Sequence, residues 1–230
     1  MEDHVNIAIL GTGTVGRALA GRLAELGHDV VIGTRDVADL MARSEPTMGG
    51  RLAPFSQWHE VNSEVRVDTF AGAAAGADIA FLATVGSAAI DVLRSAGESN
   101  LEGKILVNVT NALDYSHSPP ALLVCNTESR AEQIQSAFPS TKVVKSLNTM
   151  NASVMVDPRA VGGGDHTVFM SGDDAGAKET IAELLGGFGW EHIVDLGDIT
   201  TARGTEMYLP LWLRAMQALG TATFNLKLVR

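Results

Sequence analysis

Six consecutive residues near the start of the chain have a spacing that suits binding of a diphosphate. Gly11, Thr12, Gly13, Thr14, Val15 and Gly16 form the pattern G-x-G-x-x-G. The first glycine of this pattern permits a tight turn, the second lets the backbone approach a diphosphate, and the third lets a helix pack closely on a strand. Val5–Leu10 precedes the pattern as a β-branched run, and Val15–Leu26 follows with apolar residues at helical spacing. This context predicts a strand, a turn and a helix whose N-terminus binds the diphosphate of a dinucleotide; the alternative is a glycine turn in a flavodoxin-like domain.

The end of the predicted second strand indicates which dinucleotide is bound. Sites for NAD place a carboxylate here to accept hydrogen bonds from the ribose hydroxyls, whereas this chain has Gly33-Thr34-Arg35. The guanidinium of Arg35 can pair with a 2′-phosphate dianion and stack on adenine, with Thr34 beside it. We therefore predict NADP(H) as the cofactor. Two alternatives stay open: Asp36, about 20 residues after the last glycine, as an NAD-type ribose ligand, and Arg35 as a solvated loop charge.

Polar and small residues also follow three later predicted strands. Open α/β sheets bind ligands at the carboxyl ends of their strands, so these residues are predicted to line the site. Each one alone is more typical of turn or helix-capping chemistry, and it is their coincidence at strand ends that favours a site. The residues are Thr84 and Val85 after the fourth strand, Asn108 at the end of the fifth, and Asn148, Met150 and Asn151 after the sixth.

The residue types favour hydride transfer over other reactions. The chain has no Ser/His/Asp constellation at recognisable spacing, no H-E-x-x-H motif and no paired-carboxylate motif, so hydrolytic and metal chemistry have little support. Hydride transfer between two bound ring systems needs mainly positioning, which matches a site of small, neutral residues. We therefore assign no catalytic side chain and no metal ligand, and we interpret the six histidines as surface or structural residues.

The elements that must position these residues alternate along the chain. Apolar runs alternate with Ala-rich or amphipathic segments, which predicts an α/β fold with a doubly wound parallel Rossmann sheet. The predicted strands after the second are Val65 to Val67, Ile79 to Ala83, Ile105 to Val109 and Val143 to Val144. A further βαβ unit is predicted to extend the same sheet, with His166 to Ser171, a helix over Asp174 to Leu185, and Ile193-Val194.

The remaining segments are two long loops and a C-terminal helix. Ser44 to Asn62 and Leu113 to Ser129 contain the prolines and glycines of loops, and both are expected near the site. The predicted helix Glu206 to Leu219 carries apolar residues around most of its circumference, so it should be buried on several sides. No linker is evident, and we predict one NAD(P)-binding domain over residues 1–230 with residues 200–230 as a dimerisation segment.

Composition excludes several classes of partner. The formal net charge of −10 argues against nucleic acid and anionic membranes, which require a cationic face. One cysteine, Cys125, allows no internal disulfide, the N-terminus lacks the features of a signal peptide, and the longest apolar runs are too short to cross a bilayer. A cytoplasmic protein with small-molecule cofactors is expected.

These motifs resemble those of the NADPH-dependent coenzyme F420 reductases, also called F420H2:NADP oxidoreductases, which are small Rossmann enzymes. The resemblance runs nearly end to end. It rests on the glycine pattern, on Val31 to Arg35, on Lys142 to Met150, on Ser171 to Asp174, and on the C-terminal helix with Leu226-Lys227-Leu228. It implies hydride transfer between NADP(H) and an 8-hydroxy-5-deazaflavin, coenzyme F420, by a homodimer whose interface is C-terminal.

The resemblance also implies roles for individual residues. Thr12, Thr34 and Arg35 would hold the 2′-phosphate end, Thr14 and Val15 the diphosphate, Val85 and Ala152 the nicotinamide side, and Asn148, Met150 and Asn151 the deazaflavin. The chain departs from the family pattern at three places. Asn148 replaces a common histidine, Val85-Gly86-Ser87 replaces a Pro-Trp-like feature, and Asp39 replaces a basic residue whose charge Arg43 could supply.

Two other functions stay open at this point. One is an NADPH-dependent reductase of flavin, ferric iron or a small carbonyl or imine, although the chain lacks the long helical C-terminal domain that many small-substrate reductases add. The other is a non-enzymatic NADP(H) sensor.

Overall fold

The computed structural model describes residues 4–47, 50 and 52–230, and its main feature is an eight-stranded sheet. The sheet order is β10-β9-β8-β5-β4-β1-β2-β3, and a separate pair, β6 and β7, forms a small antiparallel sheet. The predicted α/β fold is confirmed, as is each predicted strand to within three residues at either end. The strands are β1 (Asn6–Leu10), β2 (Asp29–Thr34), β3 (Arg66–Thr69), β4 (Ile79–Leu82), β5 (Ile105–Asn108), β6 (Leu113–Asp114), β7 (Ala121–Leu122), β8 (Lys142–Ser146), β9 (Thr167–Ser171) and β10 (His192–Asp195).

Helices cover both faces of the sheet, and alternate residues of each central strand face opposite layers. In β1, Ile7 and Ile9 belong to one core cluster, whereas Ala8 and Leu10 belong to the other. Helices α1, α8 and α9 contribute to the first cluster, and α4, α5 and α7 contribute to the second. The helices are α1 (Thr14–Glu25), α2 (Val37–Ala42), α3 (Phe55–Glu60), α4 (Phe70–Ala75), α5 (Ala89–Ala96), α6 (Glu98–Leu101), α7 (Arg130–Ala137), α8 (Ala152–Val156), α9 (Ala175–Phe188), α10 (Ala202–Met207) and α11 (Leu209–Leu219).

The sheet is parallel except at one joint. The predicted further unit, β9–α9–β10, is parallel within itself and extends the same sheet. However, β9 pairs with β8 in the antiparallel sense, with Lys145 opposite Ser171 and Ser146 opposite Met170. The chain between these strands passes through α8 and short 3-10 turns without crossing back over the sheet. Strand β9 therefore begins at the edge where β8 ends, and an entirely parallel sheet is the wrong prediction at this position.

Two predicted segments differ from the structure in their local conformation. The predicted helix Glu206 to Leu219 is two helices, α10 and α11, with Pro210 in the first turn of α11. Proline lacks the N–H that a continuous helix needs but is tolerated in a first turn, which explains why a new helix starts there. The predicted loop Ser44 to Asn62 contains α3, and part of this loop lies outside the described residues. No helix in the described part of the chain is long and apolar enough to cross a membrane.

Candidate active site

A cleft of about 1230 Å³ lies at the carboxyl ends of β1, β2, β4, β5 and β8. This is the edge at which open α/β sheets bind ligands, and the strand order reverses here between β1 and β4. Every site residue predicted from the sequence lines the cleft except Gly16 and Asn108. The predicted loop Leu113 to Ser129 also reaches the cleft, through Leu113, Tyr115 and Pro120, whereas none of the described residues of Ser44 to Asn62 lines it.

The three glycines of the G-x-G-x-x-G pattern have different surroundings. Gly11 has φ +138°, and a Cβ there would lie 2.5 Å from the carbonyl oxygen of Ala83. A Cβ at Gly16 would lie 2.0 Å from the carbonyl oxygen of Gly11, so Gly16 allows α1 to pack on the loop. A Cβ at Gly13 would meet no atom within 4 Å, because Gly13 faces the open cleft. Gly11 and Gly16 are therefore required by the protein itself, and the space at Gly13 fits an approaching diphosphate.

The N-terminus of α1 suits an anion. Gly13 is its N-cap and provides no capping side chain, and no acidic residue lies in the first turn. The N–H groups and the dipole at such a terminus favour negative charge. The glycine loop therefore has the geometry and the electrostatic character that a dinucleotide diphosphate requires.

Arg17 supports the glycine loop from the side away from the cleft. Its Nε donates to the carbonyl of Thr12 at 3.0 Å, its Nη1 donates to the carbonyl of Ala53 at 2.7 Å, and its guanidinium lies 5.2 Å from the centre of the Phe55 ring. Burial lowers the pKa of Arg17 from its ordinary value. Sequence reasoning missed this residue, although a basic residue on the apolar face of the first helix was an available signal. Arg17 joins the loop that contains α3 to the phosphate-binding turn.

The end of the cleft that follows β2 contains, among the residues that the structure describes, one cation without a partner. Arg35 lines the cleft, is exposed, and has no hydrogen bond or ion pair from its guanidinium to any described residue. The side chain of Asp36 accepts a hydrogen bond from the backbone N–H of Asp39 at 2.9 Å and caps α2. Arg43 forms an ion pair with Asp39. Helix capping accounts for Asp36 without a ribose, and Arg35 is the cation that is available for a phosphate.

The opposite end of the cleft contains a network of amides. Asn148 donates from Nδ2 to Oδ1 of Asn111 and to the carbonyl of Thr205, both at 3.0 Å. Asn111 donates in return to the carbonyl of Asn148 at 2.9 Å. Leu147, just before it, has φ +62°, a left-handed conformation that is uncommon for leucine. The side chain of Asn148 is therefore held in one orientation at the cleft.

Two of the predicted asparagines perform local structural roles. Asn108 is buried below the cleft, where Oδ1 accepts hydrogen bonds from N and Oγ1 of Thr110 at 3.0 and 2.8 Å. This is turn chemistry, and it is Thr110 that lines the cleft. Asn151 lines the cleft but also caps α8, accepting from the backbone N–H of Val154 at 3.0 Å. The capping alternative thus describes Asn151 correctly and does not exclude a contact with a ligand.

An apolar wall also lines this part of the cleft, and sequence reasoning missed it. Leu209, Trp212 and Leu213 of the C-terminal helices line the cleft together with Met150 and Met155. The Trp212 ring stacks on Phe224, with centroids 5.5 Å apart and planes inclined by 20°. The helical periodicity indicated an apolar surface in this segment but did not indicate where it packs. Across the described residues, no three His, Cys, Asp or Glu side chains are grouped closely enough to hold a metal ion.

Comparisons with known proteins relate this chain to one enzyme family. Residues 6–112 match the family model of NADP oxidoreductases that depend on coenzyme F420. The solved structure of a "putative F420 dependent NADP-reductase" from Arthrobacter sp. FB24 is 56% identical, with a TM-score of 0.94, and the match covers 98% of this chain and 100% of that one. The F420-dependent NADP reductase of Methanothermobacter marburgensis is 27% identical over 212 residues, which are 90% of each chain.

More distant relatives share part of their length or only the fold. Metalloreductase STEAP3 of Rattus norvegicus is 29% identical over 92% of this chain, but the chain spans only 38% of that protein. An imine reductase from Aspergillus terreus, with a TM-score of 0.63 and 15% identity, shares the fold. The alternative of a non-enzymatic sensor is not retained, because the relatives that match end to end are reductases. The chain belongs to the family of coenzyme F420-dependent NADP oxidoreductases and is an NADP-dependent oxidoreductase.

Proposed function

We propose that this enzyme transfers hydride between NADP(H) and the deazaflavin coenzyme F420. The observation that supports this proposal is the chemical difference between the two ends of the cleft. The unpaired guanidinium of Arg35 lies at the adenosine end, and an apolar wall that includes Met150, Leu209 and Trp212 lies at the other end. A 2′-phosphate requires the first feature, and a flat conjugated ring fits the second. The full-length similarity to F420-dependent NADP reductases supports the same acceptor.

The cofactor-binding roles follow the order of residues along the cleft. NADPH, when bound, supplies the hydride, and NADP⁺ accepts it in the reverse direction. The loop residues Gly11 to Val15 bind the diphosphate. Gly16 supports this loop, and Asn108 supports Thr110 from below the cleft. Thr34 and Arg35 bind the 2′-phosphate together with Thr12. The remaining residues bind the two rings: Thr84, Val85 and Ala152 on the nicotinamide side, and Asn148, Met150 and Asn151 on the deazaflavin side.

The ring-binding end favours an acceptor that needs no acid from the protein. Away from the residues that follow β2, the titratable side chains among the described lining residues are Asp91 and Tyr115, and both are exposed, at 81% for the Asp91 side chain and 68% for Tyr115. A hydride brings negative charge to its acceptor. A conjugated deazaflavin delocalises that charge and takes its proton from solvent, whereas a carbonyl or imine localises it on one atom and benefits from a positioned acid. The chain contributes the positioning of the two rings.

Anaerobic mixing of the enzyme with NADPH and oxidised F420 tests the proposal. We expect loss of the visible absorbance of the deazaflavin with one NADPH consumed for each F420 reduced. The variant Gly13→Val is the matched control, because it should fold but not bind the diphosphate. NADPH binding without loss of that absorbance would refute the proposed acceptor.

A second candidate acceptor is ferric iron. The similarity to Metalloreductase STEAP3 over 92% of this chain favours it, although most of that protein lies beyond the match. The same anaerobic assay with a ferric chelate, with and without added flavin, distinguishes the two candidates. Faster NADPH oxidation with the chelate than with F420 would favour metal reduction.

We also propose that residues 1–230 act as one NADP-binding unit and that residues 200–230 form a homodimer interface. The exposed large apolar residues of this segment support an interface, since contiguous apolar surface is costly in water. Leu211 and Leu219 of α11 are 61% and 60% exposed. Leu228 and Val229 extend the same segment and are also exposed.

A further inference from the structure

Lys145 of β8 and Glu206 of α10 form an ion pair below the cleft. Nζ of Lys145 lies 3.1 Å from Oε1 of Glu206, and the side chains are 0% and 4% exposed. Burial lowers the pKa of Lys145, and the Glu206 carboxylate opposes that shift by favouring the charged form. Removing two charges from water carries a desolvation penalty that their attraction offsets only with good geometry and further hydrogen bonds. No binding role proposed above uses either residue.

Lys145 contacts the wall of the cleft that is formed by the end of β5. Its Nζ donates a hydrogen bond to the carbonyl of Thr110, which lines the cleft. Asn108 holds the N and Oγ1 of the same residue. Asn111 follows directly and forms the amide network with Asn148. Lys145 thus holds the backbone at the end of β5.

Glu206 belongs to α10, the helix directly before the apolar wall residues of α11. It lies three residues before Leu209, the first residue of α11 and part of the apolar wall. Its carboxylate accepts hydrogen bonds from the backbone N–H groups of Arg130 at 2.7 Å and Ala131 at 3.1 Å, at the start of α7. Glu206 therefore anchors the helices that carry the apolar wall to the body of the sheet.

We propose that Lys145 and Glu206 are positioning residues that set the spacing between the end of β5 and the apolar wall. Together with the hydrogen bond from Asn148 to the carbonyl of Thr205, they couple the two walls, so that ordering of one by NADPH is transmitted to the other. The inference rests on the proposed function to the extent that the apolar wall holds the hydride acceptor. Hydride transfer depends steeply on the distance and orientation of the two rings, which gives this spacing a direct effect on rate.

The double variant Lys145→Met/Glu206→Gln removes both charges and leaves no lone buried charge. Glu206→Gln alone is a second variant that keeps the shape of the side chain and an oxygen that can cap α7. Lys178→Met is the matched control. Lys178 of α9 is also largely buried, pairs with Asp195 at 2.8 Å and donates to the carbonyl of Gly197 at 3.0 Å, but it does not line or adjoin the cleft.

Hydrogen–deuterium exchange with and without NADPH tests the coupling independently of any acceptor. In the parent and in Lys178→Met, NADPH should slow exchange in residues 108–113 and in residues 203–213. In the double variant and in Glu206→Gln, the slowing should persist in 108–113 and be reduced in 203–213, where the hydrogen bond from Asn148 to Thr205 remains. Equal slowing of both segments in all proteins, or no slowing of 203–213 in the parent, would overturn the proposal.

Thermal unfolding and turnover separate positioning from a purely structural role. The double variant should unfold at a temperature near that of the parent and bind NADPH within about twofold, yet its kcat for F420 should fall by roughly tenfold or more. A double variant with the stability and the kcat of the parent, or one whose kcat falls only as far as its stability, would show that the pair is only structural. If the parent does not reduce F420, the proposed function fails, while the exchange experiment still decides the coupling.

Discussion

Replacement of Arg35 by alanine should weaken the binding of NADPH much more than the binding of NADH. The guanidinium of Arg35 has no partner among the described residues, so its pairing with a 2′-phosphate breaks no existing ion pair. A hydrogen bond to a charged group contributes about 1.5 to 3 kcal/mol. Because Arg35 is exposed, the lower end applies, and ~1.5 kcal/mol corresponds to roughly tenfold weaker NADPH binding.

Calorimetric titration with NADPH and NADH measures this discrimination. NADH lacks the phosphate, so its affinity should be nearly unchanged by Arg35→Ala. The effect on NADPH should shrink as salt is raised, since the pair is close to solvent. Arg43→Ala is the matched control: this arginine lines the same end of the cleft but already pairs with Asp39, and its loss should weaken NADPH less.

Two results would refute this reasoning about the cofactor. Equal losses for NADPH and NADH would mean that Arg35 holds the adenine or the fold. A parent protein that prefers NADH would mean that Asp36 turns from its capping bond to a ribose, and that the strand end is an NAD site.

The other predictions concern the glycine loop, the C-terminal segment and a partly buried ion pair. Gly13→Val should retain its circular dichroism spectrum but lose NADPH binding, because Gly13 has an ordinary φ of −78° and faces open space. Gly16→Ala should instead destabilise the fold. A lower unfolding temperature for Gly13→Val than for Gly16→Ala would contradict both roles. Light scattering at micromolar concentration should give a dimer for the parent and a monomer for Leu211→Asp, and a monomeric parent would remove the proposed interface. The hydrogen bond from Arg203 lowers the pKa of Glu132 below its ordinary value of 4.5, so the pair stabilises the fold above that pH, and the stabilisation is lost as pH falls through the folded-state pKa. Glu132→Gln should therefore lower the Tm at pH 7, with a difference that shrinks below pH 4.5; a difference that does not depend on pH would rule out this ion pair as its cause.

Local sequence determined the phosphate-binding turn and the end of the second strand. The G-x-G-x-x-G residues are neighbours along one strand, turn and helix, so their spacing alone specifies their relative positions. The same applies to Gly33-Thr34-Arg35, which continue directly from β2. The strand pattern was predictable for a similar reason, because alternation of apolar and helical segments is a property of the chain itself. The similarity of the motifs to a known family, recognisable from the sequence, extended this to a reaction class.

Only the tertiary structure decided which residues from distant parts of the chain share the cleft. The sequence left ligand binding and capping as alternatives for Asn151, and only the structure shows that it both caps α8 and lines the cleft. Only the structure shows that Asn108 lies below the cleft and bonds to Thr110. The direction of β9 depended on the path of the connection from β8, which local patterning does not encode. Lys145 and Glu206 lie 61 residues apart in sequence, and each alone is an ordinary charged residue. Their pairing, like the position of the apolar wall, arises from packing of the C-terminal helices against the sheet, and packing depends on the whole set of contacts.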